Sequence, residues 1–243
     1  AHDLRAGQNE SMRAQEVIAT HGNTDFDAFA AMVAARLLYP GAVVALGSLN
    51  RNVRDFYRLH ADELGAIAET GNLELDAIKR LVVVEATTAS RLGELESVVL
   101  DPAVEKALFD HHGDTEIPDW VQHDAAVFSK DGALTTTLVG ILAEREILPT
   151  ALEATTFALG IHEDTGSLTY PSSTQRDADA LADIQTNGTL DHLAFGRRDE
   201  GADPDALGRS TGHDRVEGRQ VAEREAIGVD QGDARAELLD RGR

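Results

Sequence analysis

The stretch RLVVVEAT, residues 80–87, decides the fold. Its three consecutive valines are the strongest strand signal in the chain, because β-branched side chains suit a pleated backbone. The run ends on an acid, Glu85. Toward the amino terminus, EVIAT (16–20) is a second short apolar run of strand length. A polar loop, HGNTDFD, follows, then AFAAMVAARLLY (28–39), whose apolar spacing predicts a helix. Tyr39-Pro40-Gly41 stops it, and AVVAL (42–46) predicts a further strand. NRNVRDFYRLH (50–60) is a polar loop entering a helix. Toward the carboxyl terminus, VEKALFDHH (104–112) is an apolar run ending in polar residues, and AAVFS (125–129) predicts an edge strand. Helical patterns cover 132–145 and 150–161, broken at Pro149; a loop spans 162–174, and a helix covers 175–188. Strands alternating with helices define an α/β domain built on a mostly parallel sheet flanked by helices.

The domain expectation is one unit over residues 16–195 and a tail over 196–243. From Gly196 onward there is no aromatic residue, aliphatics are sparse, and Asp, Glu, Arg and Gly dominate. Such a segment buries little apolar surface and is expected to be weakly structured or disordered. The sequence holds no internal repeat.

Composition excludes several functions. The 243 residues carry 43 Asp plus Glu against 22 Lys plus Arg, a formal net charge of −21. A broad phosphate-neutralising surface needs clustered Lys and Arg, so a long nucleic-acid partner is not expected. Attachment to anionic lipid is disfavoured on the same ground. The chain has no cysteine, which rules out disulfides, thiolate metal sites and cysteine nucleophiles. No apolar run approaches the ~18–20 residues of a membrane span. Ala1 to Arg13 is polar and lacks the apolar stretch of a signal peptide, so the expected location is the cytoplasm.

Acids and imidazoles recur at four places. They are His21, Asp25 and Asp27 after the first strand; Glu85 after the valine run; Asp110, His111 and His112 after KALF; and Asp164 in HEDTG. In an open parallel sheet, ligands bind outside the carboxyl ends of the strands, where these groups would meet. Mixed His and carboxylate donors without sulfur suit Mn²⁺, Mg²⁺, Fe²⁺, Co²⁺ or Zn²⁺. Two such ions ~3.5–4 Å apart generate a hydroxide and stabilise the oxygens of an in-line phosphoryl displacement. Taken singly, each place has a plainer account. Asp25 and Asp27 suit a helix N-cap, Glu85 suits an arginine pair, and Asp164-Thr165-Gly166 suits a turn. The four in order, three of them after strand-like runs and the fourth after a helix, favour the metal reading.

The same residues form motifs. THGNTDFDAFA (20–30), VVVEATTASRLGEL (82–95), FDHH (109–112) and GIHEDTGSLTYPSST (160–174) resemble the four motifs of the DHH phosphoesterases, over roughly Glu16 to Phe195. NRNVRDF (50–56), the threonines at 135–137 and EDTGSLTYPSST (163–174) carry a narrower resemblance. They look closest to the DHH region of bacterial fusions with CBS domains and a tRNA nucleotidyltransferase (poly(A)-polymerase-like) region.

The resemblance implies two divalent cations, Mn²⁺ first, with Mg²⁺ or Co²⁺ as alternatives. It gives His21 and Asp25 to one ion, Asp27, His111 and Asp164 to the other, and Glu85 as the bridge between them. His112 is expected to face the substrate phosphate, and Asp110 to orient a ligating imidazole. Two departures stand out. The bridging acid is normally aspartate, and the glycine-rich, histidine-containing substrate domain (DHHA1) that usually follows has no counterpart in residues 196–243. Arg51 and Arg54 either grip a phosphate or serve as surface counter-charges.

The function so implied is hydrolysis of a small phosphorylated nucleotide or short oligoribonucleotide by two-metal hydroxide attack, with a homodimer as a further expectation. The alternatives are a catalytically weak nucleotide- or metal-binding regulatory module, and a fragment of a tRNA nucleotidyltransferase fusion.

Overall fold

The computed structural model describes residues 11–112 and 116–187. Six strands form one sheet: β1 (Glu16–Ala19), β2 (Val43–Leu46), β3 (Ala68–Glu69), β4 (Arg80–Val84), β5 (Glu105–Asp110) and β6 (Ala126–Phe128). Their spatial order is β3-β2-β1-β4-β5-β6, and every pairing is parallel. The valine run pairs on both sides, Val82 with Ile18 of β1 and with Ala107 of β5. Val82, Val83 and Val84 are fully buried, as a central strand covered on both faces requires.

Among the described residues, six α-helices flank the sheet: α1 (Phe26–Leu38), α2 (Arg51–Leu64), α3 (Glu96–Leu100), α4 (Leu134–Glu144), α5 (Ala151–Asp164) and α6 (Gln175–Asn187). Asp25 starts α1 by accepting the Ala28 N–H at 3.0 Å. A capping box between Thr150 and Glu153 starts α5. Helix α1 touches β1, β2 and β4 and packs on α4 and α5, so every residue from Asp27 to Ala35 is buried. Its alanines let α5 come close. A Cβ added at Gly160 would lie 2.8 Å from both the Ala30 Cβ and the Thr135 Oγ1, so only glycine fits this crossing.

Strand order reverses direction between β1 and β4, the two central strands. That switch point opens a crevice at their carboxyl ends, where the connections leave toward opposite edges of the sheet. The crevice receives the loop after β1, the end of β4, the end of β5 and the end of α5.

Several sequence boundaries shift. Helix α1 begins at Phe26 rather than residue 28. The expected loop at 162–174 is helical through Asp164, because α5 continues past its last apolar residue, so Asp164 stands on a helix end. Two short elements, β3 and α3, escaped prediction because neither is long enough to show a period. The tail at 196–243 lies outside the described residues, as does the end of the first unit beyond Asn187.

Candidate metal centre

Each strand end contributes its group for a local reason. His21 follows β1 directly. Asp27 lies in the first turn of α1 and is fully buried. It does not cap its own helix. Its carboxylate accepts the Leu134 and Thr135 N–H groups of α4 at 2.6 and 3.0 Å, so it caps α4, which has no side-chain cap of its own. Glu85 directly follows β4 in the left-handed region (φ 55°), an unusual conformation for a side chain of its size. That turn aims its carboxylate into the crevice, at a backbone cost of about 1–3 kcal/mol typical of strained positions.

The groups converge in two sets that share Glu85. Asp27, Glu85, His111 and Asp164 offer ligand atoms within 4.8 Å of one another, and so do His21, Asp25 and Glu85. The Nε2 of His111 is 3.2 Å from Glu85, 3.3 Å from Asp164 and 3.7 Å from Asp27. It is nevertheless buried without an aligned hydrogen-bond partner. Its Nδ1 faces the Asp131 carbonyl at 3.1 Å. A carbonyl only accepts, so Nδ1 carries the hydrogen, and the neutral ring presents a lone pair at Nε2. His21 repeats the pattern. Its Nδ1 faces the Gly22 carbonyl at 2.9 Å, and its Nε2 is 3.7 Å from Glu85. Two imidazole lone pairs and four acids aimed at common points fit divalent cations, as a purely hydrogen-bonded cluster would not.

The electrostatics show what the cluster does without a cation. Burial disfavours protonated His111, but the carboxylates of Asp164, Glu85 and Asp27 outweigh it and push its pKa up to about 11. Burial, then the charge of Glu85, drives the Asp27 carboxyl well above its ordinary range. Burial also opposes ionisation of Glu85, but His111 and His21 override it and hold its carboxyl below the usual range. Protons thus stand in for cations, and metal binding must release them.

The sign for stability follows from the imidazole. The folded-state pKa of His111 is raised above 6.5, so its contribution is complete below that value and lost as pH rises toward about 11. The raised pKa of Asp27 acts in the same direction. In chelator, the melting temperature is therefore expected to fall as pH climbs from about 7 to about 9, and a divalent cation to flatten that fall. A metal-free melting temperature that rises over this interval would contradict the shifts.

The remaining sequence candidates fall elsewhere or take other roles. Asp110, expected to orient an imidazole, pairs with His112. Its Oδ1 accepts the His112 backbone N–H at 2.8 Å and faces the His112 Nδ1 at 2.9 Å, because the turn after β5 folds His112 back over the strand end. The Asp131 carbonyl orients His111 instead. Asp131 is itself fixed by Thr137 and Arg176, at 2.6 and 2.9 Å. His112 is largely exposed at the rim. Arg51 and Arg54 reach Asp55 at 3.7 and 4.0 Å and do not join the cluster. Thr135, Thr136 and Thr137 turn their hydroxyls to Asp27, Asp177 and Asp131 inside the fold. Trp120 donates from Nε1 to the Thr87 carbonyl and packs on the core. Sequence reading missed Asp131, whose contribution is a backbone oxygen and leaves no trace in residue type.

A parallel α/β sheet with acids and imidazoles gathered at its switch point has a DHH-type fold, with a candidate dinuclear centre. Solved structures share the fold. An exopolyphosphatase-related protein from Bacteroides fragilis superposes with a TM-score of 0.54 at 16% identity, over 72% of this chain and 53% of that one. A Methanococcus jannaschii protein assigned as a family II inorganic pyrophosphatase gives 0.54 at 16% identity, over 73% and 57%.

Among curated proteins, the chain is homologous to one region of the A-adding tRNA nucleotidyltransferases. It is 36% identical to the Geobacter sulfurreducens protein over 174 residues, 71% of this chain and 20% of that one. It is 27% identical to the Aquifex aeolicus protein over 175 residues, 71% and 19%. The chain therefore spans about a fifth of the curated relatives it matches. No family model matches it.

Proposed function

We propose that this domain is a divalent-metal-dependent phosphoesterase acting on a small phosphorylated nucleotide or short oligoribonucleotide, with Mn²⁺ as its ion. One observation carries the reading: two ligand sets share Glu85 at the switch point of the sheet. Asp27, His111 and Asp164 would hold one cation, His21 and Asp25 the other, and Glu85 both. When bound, the ions would supply an activated water and charge stabilisation at a phosphoryl group. His112 acts on the departing oxygen. Its hydrogen bond to Asp110 outweighs its partial burial and raises its pKa above the ordinary imidazole value. With Nδ1 committed to Asp110, Nε2 is the nitrogen that hands over the proton.

The test is turnover of a panel of short oligoribonucleotides, phosphorylated nucleotides, cyclic dinucleotides and pyrophosphate by the Mn²⁺-loaded chain. Hydrolysis of at least one is expected. His112→Ala should lower kcat by ~10²–10⁴-fold while bound metal per chain stays constant. A metal-loaded protein inert toward the whole panel would sink the enzyme reading.

A second reading is a metal- or nucleotide-binding regulatory module within a larger nucleotidyltransferase. It is favoured by the one-fifth coverage of the relatives and by Glu85 where aspartate is usual. It predicts nucleotide binding without hydrolysis.

A further inference from the structure

Asp177, in the first turn of α6, is a fully buried carboxylate outside both ligand sets. Both its oxygens accept the Gly132 N–H, at 3.1 and 3.0 Å. Oδ1 also accepts the Thr136 hydroxyl at 2.6 Å, and Oδ2 the Thr174 N–H and hydroxyl at 2.6 and 2.8 Å. Those bonds fill the acceptor sites of a carboxylate and fix its position. Its approach to Gly132 dictates the residue there. A Cβ on Gly132 would lie 2.7 Å from the Asp177 Oδ2 and 3.1 Å from the Ser173 Cα, so only glycine lets the two meet.

The Gly132 N–H is one end of a peptide group whose other end is the Asp131 carbonyl. That group is planar and trans, so its N–H and C=O point in opposite directions from one rigid unit. The Asp131 carbonyl faces the His111 Nδ1 at 3.1 Å. Across the ring, the His111 Nε2 lies among Asp27, Glu85 and Asp164. A carboxylate, a peptide group and an imidazole thus follow one another, and only the imidazole enters the centre. Thr137 and Arg176 hold the Asp131 side chain and pin the same peptide a second time.

We propose that Asp177 is a positioning residue for the metal centre, acting on His111 through the Asp131–Gly132 peptide. A carboxylate on the N–H end polarises the peptide and makes its carbonyl a stronger acceptor. That carbonyl holds the hydrogen on the His111 Nδ1, points the ring and makes Nε2 a more basic ligand. Outer-shell carboxylates often stand directly behind a ligating histidine; here a peptide group lies between the two. The effect falls on one cation site, since His21 takes its own orientation from the Gly22 carbonyl. The inference rests on the proposed metal centre and adds a determinant of its ion affinity.

Calorimetry with Mn²⁺ on the full chain and two variants tests it. Asp177→Asn keeps the shape of the side chain and removes its charge. Thr174→Ala removes a hydroxyl bond to the same carboxylate at the start of α6 and leaves the Gly132 bond in place. Asp177→Asn is expected to weaken one Mn²⁺ site by ~10-fold, the lower end for outer-shell partners, and to leave the other within about twofold. Thr174→Ala should lower the melting temperature and leave both sites within about twofold. The visible spectrum of the Co²⁺-loaded chain should change in Asp177→Asn alone, because only that variant alters the ligand field of His111. An Asp177→Asn chain that matches wild type in either measurement overturns the proposal. So does an equal loss of affinity in Thr174→Ala, or at both sites, which marks a purely structural effect. Where Asp177→Asn does not fold, the wild-type chain decides. Zn²⁺ is expected to move the NMR signal of the Gly132 amide downfield as its bond to Asp177 strengthens, and an amide that stays in place overturns the proposal. A wild-type chain that binds two ions and hydrolyses nothing loses the proposed activity and keeps this inference. One that binds no ion loses both.

Discussion

Asp27→Ala is expected to destabilise the domain by about 2–5 kcal/mol and to empty one cation site. The carboxylate of Asp27 caps α4 from a fully buried position, accepting two backbone N–H groups that have no other partner within their helix. Truncation leaves both donors buried and unsatisfied, at ~1–3 kcal/mol each. Relief of an unfavourable buried charge, evident in the raised pKa of Asp27, offsets part of that loss. Against a typical total of ~5–15 kcal/mol the net effect is large. Asp27→Asn separates the two roles. Its amide oxygen can keep one of the α4 hydrogen bonds, so about half the stability should return, while metal affinity stays low. Urea unfolding and metal analysis of both variants check this. An Asp27→Ala protein as stable as wild type would remove the capping role, and one that still carries two ions would remove the ligand role.

Glu85→Gln should abolish stoichiometric binding at both sites, where His21→Ala should cost only one. Glu85 is the single acid common to both sets, and its charge balances the two imidazoles that face it. Outer-shell partners of metals already cost ~10–100-fold in affinity when removed, and loss of a shared ligand charge should exceed 100-fold. Glu85→Asp is the informative control. Aspartate is more at ease in the left-handed region that Glu85 occupies, but it is one methylene shorter. Two ions per chain, bound with altered affinity, is the expected result. Two ions retained in Glu85→Gln would show that the two sets do not share a bridge.

Much of this centre could be read in the chain because its parts end apolar runs. EVIAT, RLVVVEAT and KALFDHH each pass from buried strand to polar residues, and a parallel sheet puts those transitions on one edge. Asp164 was legible only through the motif, since α5 shows no break before it and period alone cannot tell where a buried helix stops. The partner of Asp110 was not legible, because it depends on the turn after β5. Two residues on, the chain folds His112 back onto it and leaves His111 to the Asp131 carbonyl, twenty residues away.

The reach of Asp177 had no sequence signal at all. It reads as an ordinary acid in the first turn of a helix, and Gly132 lies 45 residues before it, so only the packing of α6 brings the two together.

The sequence by itself determined the longer strands, the alternation that makes the sheet parallel, and the residue types able to hold a cation. Those depend on side-chain shape and on local periodicity. The excess of 21 negative charges excluded partners without choosing one. Only the tertiary structure decided which acids meet. The reversal of strand order between β1 and β4 brings Asp27, Glu85, His111 and Asp164 to one point, where burial in low dielectric makes their mutual repulsion too costly to leave unneutralised.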